Sequence, residues 1–229
     1  MGLNHMGIHD GHRKRLRANF IDNSLSGFND INALELLLSF AIPRKDTNEL
    51  AHILLDRFGS LKEVMLASHE ELLEVPGVGE NVAVLIRLIP QIYKKASVSE
   101  ANEIVKCSNY SHLADYLRPR FLNERDEVLY MVCLDNRNCV IKCIEFSRGT
   151  ANYVDLNIRR AVEIAITSSA TSIALAHNHP RGPLMPSVED DYVTRQLREA
   201  LKSLNIKLVD HLIFTDGDYI SYAKLNRLL

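Results

Sequence analysis

The stretch ALAHNHPRGPLMPSVEDDYVT, residues 174–194, carries two histidines two positions apart at the end of an apolar run. In a strand, residues i and i+2 point the same way, so His177 and His179 project together where the chain leaves its sheet. The loop that follows holds Pro180, Gly182, Pro183 and Pro186, which stiffen it and let it fold back. Ser187 then reads as a helix N-cap, with Asp190 at the third helical position of a capping box. A carboxylate in that first turn lies at the positive end of the helix dipole and can face back toward the two imidazoles. Two histidines and one carboxylate, with a fourth position left for water, form the donor set of a catalytic rather than a structural zinc.

The residues around this stretch give it a sheet to stand on. Residues 172–176, SIALA, are apolar on both faces, as expected of a strand covered by helices on each side. EVLYMVCLD and CVIKCIEFS read as strands joined by a turn at Asp135 to Asn138, and IKLVDHLIF and YISYAKL complete the sheet. Three helices accompany them: HLADYLRPRFL, then NIRRAVEIAITSS, then the amphipathic segment from Ser187 to Leu204 through Val193, Leu197 and Leu201. The second half is therefore α/β or α+β with a mixed sheet.

Up to about Ala96 the pattern is helical throughout. Leu50, Ile53 and Leu54 form one stripe, and Ser60-x-x-Glu63 and Ser68-x-x-Glu71 read as two capping boxes in succession. In VPGVGENVAVLIRLI, Pro76 stops one helix, Gly77 and Gly79 allow a tight turn, and a second apolar helix begins, which is a helix-hairpin-helix shape. The small, polar ASVSEANEI reads as a linker. Domain limits of 1–97 and 107–229 follow.

The chain has 229 residues, 46% hydrophobic and 24% charged, with a net charge of −2. Lys plus Arg against Asp plus Glu is 11 to 12 in residues 1–97 and 16 to 17 in the remainder, so neither half has the basic excess of a dedicated DNA-binding domain. No apolar run reaches the roughly 20 residues that span a bilayer, and the N-terminus lacks the apolar core of a secretion signal, so a cytoplasmic location is expected. Cys107, Cys133, Cys139 and Cys143 contain no Cys-x-x-Cys pair and read as buried free thiols.

HNHPRGPLMPSVED matches the His-x-His-Pro…Ser-x-x-Asp signature of JAMM (MPN) metalloproteases. In order, HRKRL, PGVG, SRGT, AHNHP and DHLIF resemble a bacterial RadC-family protein over nearly the whole chain. That resemblance implies a helix-hairpin-helix region followed by a three-layer, cytidine-deaminase-like JAMM domain. It implies zinc (Zn2+) held by His177, His179 and Asp190, a glutamate at the start of an earlier strand acting on water, and Ser187 stabilising an oxyanion. The matching glutamate is Glu127, with Asp126 and Glu124 as neighbouring competitors. His211 in DHLIF is a candidate supporting residue. The chain departs from the family at Arg181 and Pro183 in the loop and at LNIRR before the metal strand, which bears on substrate preference and on no ligand.

The expected function is a zinc-dependent hydrolase cleaving an amide or isopeptide bond in a protein or peptide. The rival from another class is a DNA-associated repair or recombination accessory whose metal site is structural or vestigial. A two-metal nuclease would need more carboxylates than the sequence supplies. Gly77 and Gly79 could hold a DNA phosphate through backbone N–H groups without reading bases, but Glu80 stands beside that position and the first following cation is Arg87, so such binding is expected to be weak.

Overall fold

The computed structural model describes residues 8–43, 45–101, 105–149 and 156–228. Thr150 of the SRGT segment lies outside the described residues. The chain divides into two compact units, one up to Tyr93 and one from Lys94.

The first unit is helical, with α1 (Ile8–Asn23), α2 (Asp30–Ala41), α3 (Asn48–Phe58), α4 (Leu61–Leu66), α5 (His69–Leu73) and α6, which begins at Glu80 and ends at Ala101. Its core gathers Leu34, Leu38, Leu54, Val64, Leu72 and Ile86. Ser60 caps α4 by accepting from the Glu63 N–H, and Ser68 and Glu71 form a reciprocal capping box on α5. Gly77 sits between α5 and α6 at φ +93°, a left-handed conformation that explains a glycine there. The segment from Ala96, expected as a linker, is helical as far as Ala101. Extending an existing helix costs far less than nucleating one, so a weak polar sequence can continue it.

The second unit contains α7 (Tyr110–Leu117), a 3-10 turn (Arg118–Phe121), β1 (Val128–Leu134), β2 (Val140–Arg148), α8 (Ile158–Thr167), β3 (Ser172–Asn178), α9 (Val188–Lys202), β4 (Lys207–Phe214) and β5 (Tyr219–Ser221). The helix expected to reach Leu122 stops at Leu117 and tightens into the 3-10 turn, because Pro119 has no N–H to continue the helical hydrogen-bond ladder. The sheet order is β2-β1-β3-β4-β5, with β3 and β4 parallel and the other pairs antiparallel. The fold is therefore α/β with a mixed five-stranded sheet.

Both central strands are buried along their whole length, and their alternate residues serve two cores. Leu129, Met131, Ile173 and Leu175 pack against Ala161 and Ala165 of α8 and Val193, Leu197 and Leu201 of α9. Val128, Tyr130, Ala174 and Ala176 pack on the opposite face against Leu113 and Leu117 of α7. The four cysteines are free thiols, but only Cys107 and Cys133 are buried as expected, Cys139 and Cys143 being partly exposed. Among the described residues, no helix is long and apolar enough to cross a membrane.

Candidate functional site

Strand parity assembles the site. Leu129 of β1 pairs with His177 of β3, so one more step of two along that register brings Glu127 opposite His179. On the other side, His211 of β4 pairs with Leu175, on the face that carries His177. These side chains therefore meet under α9, whose first turn begins at Ser187 immediately after the proline-rich loop.

Ligand atoms of His177, His179 and Asp190 lie within 4.8 Å of one another. The Nε2 atoms of His177 and His179 are 2.9 Å apart, and the Asp190 carboxylate is 3.2 Å from the first and 3.6 Å from the second. Asp190 is 1% exposed, and its Oδ1 has no well-aligned hydrogen-bond donor among the described residues. A buried carboxylate beside two imidazole nitrogens, with one oxygen left unsatisfied, is what a divalent cation would complete, so the donor set fits zinc. The other oxygen, Oδ2, accepts from the Ser187 hydroxyl at 2.7 Å and from its backbone N–H at 2.8 Å.

Electrostatics divide the three groups. Burial pushes His177 below its ordinary value, while the adjacent Asp190 carboxylate raises His179. Burial pushes the Asp190 carboxyl up, but His177, His179 and Ser187 together outweigh it and hold it below the carboxylate range. His211 is 1% exposed, and burial, then repulsion from His177, keep it well below the ordinary histidine value.

The carboxylates before β1 are in different situations. Glu124 is tied to Lys94 and, at 2.6 Å, to Arg148, and the same arginine reaches Glu145 at 2.7 Å. Asp126 is 59% exposed and 4.0 Å from Arg148. Glu127 is half-buried, and its charge favours the protonated forms of both His177 and His179. A residue that sequence reasoning missed holds it there. The Asn178 side chain donates to the Asp126 carbonyl at 3.0 Å and accepts from the Val128 N–H at 2.8 Å, pinning the peptide groups on both sides of Glu127. Its only sequence signal is its place between the two histidines.

Thr194 and Asp210 were also missed. Thr194 lies one helical turn after Asp190 and contacts His211. Asp210 accepts from the His211 and Ala223 N–H groups and from the Ser221 hydroxyl, which fixes β4 against the chain after β5. The ring of Tyr222 stacks on His211 with centroids 4.9 Å apart.

In the first unit, the hairpin opens onto a cleft of about 660 Å³ lined by Gly77, Gly79, Glu80 and Asn81 on one side and Ile42 and Lys45 on the other. Lys45 is a cation that sequence spacing did not bring to the hairpin. Glu80 also pairs with His69 at 3.3 Å.

Comparisons with known proteins agree with this arrangement. Residues 91–227 match the RadC-like JAB domain, and residues 45–89 match a helix-hairpin-helix motif. The chain is 36% identical to the UPF0758 protein FN0909 of Fusobacterium nucleatum over 221 residues, covering 93% of this chain and 95% of the relative. It is 33% identical to the UPF0758 protein SPO0054 of Ruegeria pomeroyi over 211 residues, covering 92% and 94%. The chain belongs to the RadC family, in which a helix-hairpin-helix region is followed by a RadC-like JAB domain.

Proposed function

We propose that this protein is a zinc-dependent hydrolase that cleaves an amide or isopeptide bond in a protein or peptide, with the reaction assigned to residues 107–229. The observation that carries the reading is the convergence of His177, His179 and Asp190 with a further carboxylate, Glu127, beside them. Zinc held by those three residues would polarise a carbonyl and bring the pKa of an attacking water toward about 7. Glu127 accepts the proton from that water and delivers it to the departing nitrogen, as a general base that becomes a general acid. Asn178 keeps the Glu127 backbone in place through both neighbouring peptide groups.

Ser187 has two duties that alternate. In the resting protein its hydroxyl donates to Asp190 Oδ2, and it accepts from the Asp190 N–H at 3.0 Å. During the reaction the same O–H turns to the developing oxyanion, and the Ser187 backbone N–H continues to hold Asp190.

The surface beside the centre favours a polypeptide over a phosphodiester. Glu189 precedes Asp190 in the first turn of α9, and its charge repels a polyanion, whereas Asp191 is paired with Arg227 at 3.0 Å. Met185, Val188 and Tyr192 are exposed at the same helix start and offer apolar contacts to a side chain. Screening zinc-loaded protein against mixed peptides, with Glu127→Gln as control, tests the reading. Cleavage by the wild type alone supports it, and equal cleavage by both proteins removes it.

A second reading concerns residues 1–97, where the cleft between Lys45 and the Gly77 hairpin is the favouring observation. There the protein would hold duplex DNA weakly and without sequence preference, as an accessory to repair or recombination. Glu80 in the same cleft opposes phosphate, which makes this the weaker assignment.

A further inference from the structure

We propose that His211 and Thr194 are positioning residues that decide which ring nitrogen of His177 is left to bind a metal ion. The inference rests on the metal reading above and concerns hydrogen-bond direction. Thr194 Oγ is 2.6 Å from the Asp190 backbone carbonyl. A carbonyl has no proton, so the threonine must donate its only one there. The same Oγ is 2.6 Å from His211 Nδ1, and with its proton already committed it can only accept. His211 Nδ1 therefore carries a proton.

A neutral imidazole has one N–H, which leaves His211 Nε2 as an acceptor. His177 Nδ1 lies 2.8 Å from it and must be the donor. The His177 lone pair is thereby placed on Nε2, the nitrogen that faces His179 and Asp190. His179 reaches the same state by a separate route, because its Nδ1 is 3.0 Å from the Pro183 carbonyl and can only donate there. Two lone pairs and a carboxylate then point into one small volume, an arrangement favourable only around a cation or a shared proton.

The relay begins on a residue that also ends it. Asp190 supplies a ligand oxygen from its side chain, and from its backbone the acceptor that sets the direction of every bond in the chain. A shift of the α9 first turn would disturb both together. Partners of this kind behind metal-binding histidines typically change metal affinity by 10- to 100-fold when removed.

The test uses the full 15N-labelled chain, stripped with a chelator and held near pH 8, where an ordinary histidine is neutral. Long-range 1H–15N spectra should show His177 protonated on Nδ1 in the metal-free wild type. Thr194→Val keeps the shape but lets His211 turn its proton toward His177. Its zinc affinity, measured by competition with a chromophoric chelator, should fall roughly 10- to 100-fold, while Thr194→Ser stays near wild type. His211→Gln, whose amide can accept from His177 and donate to Thr194, should retain affinity that His211→Leu loses. His177 protonated on Nε2 in the wild type overturns the proposal, as does a Thr194→Val affinity equal to that of Thr194→Ser. A wild-type protein that binds no zinc overturns the metal reading instead, and the spectrum of the metal-free protein still decides the relay.

Discussion

Replacing Asn178 by alanine should loosen the strand end that carries Glu127 without touching a metal ligand. Asn178 is 4% exposed, and its amide group makes two hydrogen bonds, 2.8 Å from the Val128 N–H and 3.0 Å to the Asp126 carbonyl. Truncation leaves both peptide groups without those partners, at about 1–3 kcal/mol for each that stays buried. Val128 is fully buried, whereas Asp126 is exposed and its carbonyl can recruit water. The N–H therefore accounts for most of the loss, and about 1.5–3 kcal/mol in total is expected. Asn178→Asp sharpens the test, because it keeps the acceptor for Val128 but sets a carboxylate against the Asp126 carbonyl. The assay is urea unfolding of the second unit's transition at pH 7.5, together with zinc content. Zinc should stay at the wild-type ratio in both variants, and any peptidase activity should fall on the order of 10²-fold, the cost of misplacing a catalytic group by about 1 Å. An alanine variant within about 0.5 kcal/mol of wild type, the usual range for an unimportant surface change, would refute the reasoning.

Glu127→Gln should keep its zinc and lose at least about 10²-fold in hydrolysis, because a general base is not a ligand; unimpaired turnover would move the role to Asp126. Zinc affinity should fall roughly tenfold per pH unit once the pH drops below the raised value of His179, a window that opens above the ordinary 6.5 because the adjacent Asp190 carboxylate favours the protonated ring. In the metal-free protein that raised value stabilises the fold fully below 6.5 and the contribution fades as pH rises through it, so chelator-treated protein should lose that increment as the pH climbs above 6.5. A zinc affinity flat between pH 8 and 6 contradicts the assignment. Glu80→Lys reverses the charge lining the hairpin cleft and should tighten duplex DNA binding in a salt-sensitive way; no affinity in either protein at low salt assigns the hairpin to packing or protein docking.

The parts of the site readable in the sequence are those with a fixed period. The two-residue step places His177 and His179 on one side of β3, and the capping-box spacing places Asp190 in the first turn of α9. The same alternation gives β1 and β3 two buried faces, which is why a sheet covered on both sides could be anticipated. Thr194, Asn178 and Asp210 were not readable, because each acts across strands or between a helix and the sheet. Small polar residues carry no periodic signal, and their partners are 17, 50 and 11 residues away. Lys45 escaped for the same reason, since only the packing of the helices brings it to a hairpin more than thirty residues later. The helix through Ala101 was hidden by local composition, which the preceding helix overrides.

Elemental analysis decides whether His177, His179 and Asp190 together hold the proposed zinc. Wild type, His177→Ala and Asp190→Ala are purified without added metal, equilibrated with zinc and passed through a desalting column. One zinc ion per wild-type chain is expected, with most of it lost from each variant, since each removal leaves two of three protein ligands. Zinc at the wild-type ratio in both variants, or none in the wild type, would contradict it.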